Sequence, residues 1–111
     1  MNEFNLEAGM PTADVAIRRL AGLLAAQRSI RTKAFKIIHG YGSTGKGGRL
    51  RTELRRYLDG CVKDGKIRSY ICGEDFSIFS SATRELLARC PEAKRDRDLE
   101  NGNSGITIIL L

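Results

Sequence analysis

The sequence predicts an α/β domain in two layers, a small sheet covered mainly on one face by helices. Three observations predict it. Short, β-branched segments alternate with segments of helical period. Only two helical segments are long enough to cover a sheet, which suits one face. A third and shorter helical segment precedes the last strand and is expected at an edge. With 111 residues the chain reads as one domain, 1–111, large enough to bury a core without disulfides or metals.

"FNL" (Phe4–Leu6) is the first strand, broken by Gly9, Met10 and Pro11. Thr12 then caps a helix over Ala13–Arg28, with Asp14 in its first turn where negative charge suits the dipole. Ala13, Ala16, Ile17, Leu20, Leu23 and Leu24 form one apolar face of it. "AFKIIH" (Ala34–His39) is apolar with one charge and suits a buried strand. Arg49–Val62 is the second helix, with Leu50, Leu54, Tyr57, Leu58 and Cys61 on one stripe bracketed by arginines. Lys63–Lys66 is a turn containing Gly65, and Ile67–Cys72 alternates as a half-buried strand does. "GEDFSIFSS" is a loop whose two aromatics should pack. A short helix over Thr83–Arg89 follows, capped by Ser81, and then a polar loop over Cys90–Gly105. "ITIILL" (Ile106–Leu111) is a strand so apolar that it must lie inside the sheet. The alternation of strands with helices favours parallel neighbours.

Charge narrows the function. The net charge is +6, and it is concentrated: Arg31–Arg68 carries eleven basic and three acidic residues, whereas the flanks are neutral or acidic. Such a concentration attracts phosphates, on nucleotides or on a nucleic-acid backbone. No apolar run reaches the length of a membrane span, and the N-terminus lacks the pattern of a secretory signal. Three widely spaced cysteines, Cys61, Cys72 and Cys90, with no Cys-x-x-Cys pair, argue against a disulfide framework or closed zinc site. Cys61 and Cys72 are expected in the core and Cys90, before Pro91, as the exposed thiol. A cytoplasmic setting is expected.

The basic segment contains "HGYGSTGKGG" (His39–Gly48), a glycine loop between a strand and a helix. From Gly40 it reads Gly-x-x-x-x-Gly-Lys, one residue short of a nucleotide-binding P-loop. That last residue should be a Ser or Thr for magnesium, and Gly47 has no hydroxyl. For the acidic residue expected at the end of a later strand the near candidate is Asp75 in "SYICGED", past a glycine, so an NTPase with a nucleotide cofactor is not expected. A glycine loop at a helix N-terminus still seats anions, through outward amides and the helix dipole. Gly40, Gly42, Gly47 and Gly48 allow close backbone approach, and Lys46, Arg49, Arg51 and Arg55 add cations. Tyr41 is placed to stack on a base.

"IIHGYG…GGRLRTELRRYL" together with "GITIILL" resembles the small MutS-related (Smr) domain, found at the C-terminus of MutS2 proteins and as a stand-alone protein. The resemblance rests on His39-Gly40-Tyr41-Gly42, Leu50-Arg51 and Gly105-Ile106-Thr107, and extends from Phe4 to Leu111. It implies a β-α-β-α-β-β fold with a four-stranded mixed sheet, like the C-terminal domain of the third bacterial translation initiation factor. It also implies binding of DNA or RNA and, in several members, endonuclease activity. That family ends its first strand with Leu-Asp-x-His-Gly. Here Asn5 stands at the Asp place and Glu7 at the His place, and the glycine loop is several residues longer.

The resulting expectation is a protein that binds a phosphate backbone through His39–Arg51, with nuclease activity weak, altered or absent and no cofactor. The alternatives are an endonuclease using His39 and Glu7, with a divalent metal, and a protein-interaction domain that binds no nucleic acid.

Overall fold

A computed structural model describes the chain except residues 41–45 and the side chains at 46 and 47. In chain order the elements are β1 (Asn2–Asn5), α1 (Ala13–Ser29), β2 (Ala34–Ile38), α2 (Lys46–Lys63), β3 (Ser69–Cys72), α3 (Ser81–Arg89) and β4 (Ile106–Leu110). Short 3-10 turns occupy Gly73–Asp75 and Pro91–Arg95. The sheet order is β1-β2-β4-β3. β1 runs parallel to β2, and β4 runs antiparallel to both β2 and β3. The sheet is therefore mixed. The α1 crossover makes the one parallel pair, while β3 and β4 pair antiparallel.

The first face of the sheet carries the two long helices. α1 buries Ala16, Leu20, Leu24 and Gln27, and α2 buries Leu50, Leu54, Leu58 and Cys61. Both sets step by four, four and three residues, which keeps them on one stripe of a 3.6-residue helix. They pack on Phe35, Ile37 and Ile109 of the two central strands. Phe4 meets Phe35 edge to face at a centroid distance of 5.8 Å. Burying each such leucine contributes about 1.5–3 kcal/mol. β4 is buried along its whole length between β2 and β3, as its apolar run requires.

The second face is not bare. Alternation turns Ala34, Ile71, Ile106, Ile108 and Leu110 toward it, where Phe76, Leu86, Cys90 and Ala93 cover them. The short helix expected at an edge is thus laid against this face, on the side of β3. Ser80, not Ser81, caps it by accepting from the Thr83 N–H at 3.3 Å. Cys90, expected to be exposed, is buried here because the turn at Pro91–Arg95 folds the next residues back over it. Of the two aromatics in the preceding loop, Phe76 is buried and Phe79 is 87% exposed.

Other boundaries moved for local reasons. β1 begins at Asn2 and ends at Asn5, although the Leu6 N–H still donates to the Ile38 carbonyl at 2.8 Å. α2 begins at Lys46, three residues before the expected start at Arg49, so Gly47 and Gly48 lie within its first turn.

Lys36 of β2 points to the second face and is fully buried. Its Nζ donates to Asp98 Oδ2 at 2.5 Å, Asp96 Oδ1 at 2.7 Å and Glu3 Oε1 at 3.3 Å. Arg97 in turn donates to Glu3 at 2.9 Å, and Asn103 to Asp98 at 3.0 Å. The cluster ties the segment before β4 to the strands beneath it. Burial works against the Lys36 ammonium, but the Asp96 and Asp98 carboxylates hold its pKa above the ordinary lysine value.

Candidate functional site

The parallel pair β1 and β2 sends both following helices back along the sheet. The starts of α1 and α2 therefore meet at one pole, beyond the C-terminal ends of those strands. At that pole a cleft of about 400 Å³ is lined by Met10–Asp14, Arg49 and Leu50. Asp14 and the Thr12 hydroxyl, which accepts from the Val15 N–H at 3.3 Å, serve the start of α1. The first turn of α2 has no acidic residue. A helix start presents its amides and positive dipole end, and Arg49 lines the cleft beside it. Arg49 is exposed and Arg51 half-buried. Gly48 takes part in the first turn, its carbonyl accepting from the Thr52 hydroxyl at 3.0 Å.

Gly40 carries β2 into the loop. Its φ of +76° is a left-handed conformation that glycine adopts without strain. The N–H groups of His39 and Gly40 both donate to the Gly105 carbonyl, each at 3.0 Å. That shared acceptor joins the loop root to the residue before β4. The carboxylate of Glu7 lies against Gly40 where a side chain would otherwise project. Glu7 itself is exposed, at the end of a turn made by Asn5, whose Oδ1 accepts from the N–H groups of Glu7 (2.9 Å) and Ala8 (3.2 Å). Asn5 thus shapes a turn instead of facing the cleft. Tyr41 and Gly42 lie outside the described residues, as do the side chains of Lys46 and Gly47.

His39 is fully buried, and both ring nitrogens are engaged. Nδ1 lies 2.8 Å from the Gly40 carbonyl oxygen, and Nε2 lies 2.8 Å from Thr107 Oγ1. A carbonyl oxygen only accepts, so Nδ1 carries the hydrogen. Nε2 of the neutral ring then accepts from the Thr107 hydroxyl. Burial pushes the His39 pKa down to about 4, against the hydrogen bond to Gly40, and the nearby Arg55 and Arg51 cations push the same way as burial. The ring is neutral at physiological pH.

Arg55 completes the chain from above. Its Nε donates to Thr107 Oγ1 at 3.1 Å, and its Nη2 to the Ile106 carbonyl at 3.2 Å. The two Nη groups grip Glu74 at 2.8 and 2.9 Å in a bidentate pair. Arg55, expected at phosphates, is therefore committed inside the protein. His39, Thr107, Arg55 and Glu74 form one directional network linking β2, β4, α2 and the turn after β3. Glu74 had no role in the sequence reading. Its signal is faint: an acidic residue after a strand, with an arginine on the flank of a helix stripe.

No protein-family model matches the chain, and no curated protein matches it. Among the described residues no helix is long and apolar enough to cross a membrane.

Proposed function

We propose that this chain is an Smr-like nucleic-acid-binding domain that seats a phosphate backbone at the start of α2. One observation carries the reading: a helix N-terminus with no acidic residue in its first turn, opening on a glycine loop and a cleft lined by Arg49. Lys46, Arg49 and Arg51 supply the cations, and Gly40, Tyr41, Gly42, Gly47 and Gly48 the loop that approaches the strand. His39 and Arg55 position the loop root through Thr107 and Gly105. In this reading the protein is cytoplasmic and needs no cofactor.

Binding of a fluorescent oligonucleotide at several salt concentrations tests it. Affinity should fall steeply with salt, and Lys46→Ala/Arg49→Ala should reduce the slope of log K against log salt by about two. An unchanged slope in the double variant removes the loop from the interface, and salt-independent behaviour leaves a protein-interaction domain instead.

A second reading, cleavage by His39 with Glu7, draws on the Glu7 carboxylate beside Gly40. Against it, neither His39 nitrogen is open to a substrate proton. Glu7→Gln is exposed and should leave folding intact. Cleavage by the wild type that this variant abolishes would establish the second reading.

A further inference from the structure

The two long helices end in the same hydrogen-bonded motif, with one difference. At the end of α2, Gly65 N–H donates to the Val62 carbonyl (3.1 Å) and Lys66 N–H to the Cys61 carbonyl (2.8 Å). At the end of α1, Arg31 N–H donates to the Arg28 carbonyl (3.0 Å) and Thr32 N–H to the Gln27 carbonyl (3.0 Å). The residue at the bend is left-handed in both, with φ +73° at Gly65 and +58° at Arg31. This position favours glycine, because a Cβ crowds the following carbonyl. α2 follows that preference. α1 places an arginine there against it.

These two ends, the residues leading into β3 and Leu111 line an open groove of about 450 Å³ at the pole opposite the start of α2. Its lining includes four cations, Arg28, Arg31, Lys66 and Arg68, and no Asp or Glu. Arg68 is paired with Glu85. Arg28, Arg31 and Lys66 make no ion pair among the described residues. Neutralising the carbonyl ends of the helices does not account for the set. Arg28 and Lys63 already stand in the last turns for that, and Arg31 and Lys66 lie beyond them.

We propose that this groove is a second phosphate-binding site, occupied by the backbone of a nucleic-acid strand. Three cations outside any ion pair outweigh the partial negative charge of the two helix ends there, and the arginine forks match phosphate oxygens. The inference rests on the nucleic-acid reading above only for the source of the phosphate. α2 has 18 residues, so the two sites stand roughly 27 Å apart along its axis. The protein would then hold two separate stretches of backbone.

The test follows the amide signals of Thr32, Gly65 and Lys66 by NMR during titration with pyrophosphate, a short single strand and a duplex. A nucleic-acid probe should shift these signals in the wild type and equally in Lys46→Ala/Arg49→Ala, whose loop site is disabled. Arg31→Gly should weaken binding and lower the salt slope by about one, while raising Tm because the strained bend is relieved. Lys66→Gln should weaken binding similarly without that gain. The proposal is overturned if no probe moves the three signals, if Arg31→Gly binds as the wild type does, or if the loop variant abolishes the groove shifts. A response to pyrophosphate alone also overturns it, since the groove would then not take a strand. Weaker strand binding in the loop variant, with the groove shifts retained at saturating strand, would leave both sites standing, whereas unchanged loop-variant binding would discard only the loop.

Discussion

Thr107 Oγ1 lies 2.8 Å from His39 Nε2, and this contact holds the orientation of a ring that burial keeps neutral. The hydroxyl gives its hydrogen to the ring and accepts from Arg55 Nε at 3.1 Å. An imidazolium would be buried away from water and stand near the Arg55 and Arg51 cations.

His39 should therefore titrate near pH 4 in the folded protein and near 6.5 in the unfolded chain. Between these values the unfolded chain binds more protons, so stability rises with pH from about 4 to 6.5 and is then level for this group. Over the full window the contribution is about 3 kcal/mol, of which roughly 2 kcal/mol disappears on going from pH 7 to pH 5. Urea unfolding at the two pH values measures that loss. Nitrogen-detected NMR should show hydrogen on Nδ1 and none on Nε2 at pH 6. A titration midpoint near 6.5 in the folded state would sink the assignment.

The Lys36 cluster has a different pH signature. Hydrogen bonds from Arg97 and Lys36 hold Glu3 below its ordinary carboxylate value, and those from Asn103 and Lys36 hold Asp98 below its own despite burial. Their stabilisation is present above about pH 4.5 and is lost as pH falls through the folded values. Lys36→Met leaves Asp96 and Asp98 buried without their cation and should cost about 3–5 kcal/mol at pH 7. Acidification then relieves the variant, because its carboxyls protonate readily. Lys36→Met/Asp96→Asn/Asp98→Asn should recover most of the loss. Denaturant midpoints at pH 7 and 4.5 report both effects, and a Lys36→Met cost under about 1 kcal/mol at pH 7 would contradict the account.

Gly73 has no room for a side chain. A Cβ there would overlap the Asn103 carbonyl oxygen and crowd Ile106, both held by backbone structure. Gly73→Ala should destabilise by about 1–3 kcal/mol and loosen the turn that carries Glu74. Thermal unfolding gives the first quantity, and amide exchange at Glu74 the second. Wild-type values for both would show that the Asn103 segment yields freely.

The long helices were legible because their buried residues follow the helical period, and β4 because four aliphatic side chains among its five residues leave it nowhere but the interior. The root of the glycine loop was legible for a chemical reason, since Gly40 needs its positive φ. The networks were not. Arg55 finds Glu74 nineteen residues away, and Lys36 finds Asp96 and Asp98 sixty and sixty-two residues away. Only the folded sheet brings such partners together, and an arginine on a helix flank looks the same whether it meets solvent or a carboxylate. The start of α2 was obscured because Lys46-Gly47-Gly48 has little intrinsic helix preference. Cys90 was misplaced because the fold-back after Pro91 depends on the apolar face it covers.

The position of β4 sets the order in which this molecule can assemble. Of the four strands of this sheet it comes last in the chain, and it joins β2 to β3. Until Ile106–Leu110 leaves the ribosome, β1 and β2 can pair, but β3 has no neighbour in the sheet and the second core has no floor. Folding therefore waits on contacts between residues far apart in the chain, which slows it. During that wait Phe76, Leu86 and Cys90 of the second core lack Ile106, Ile108 and Leu110 to pack on.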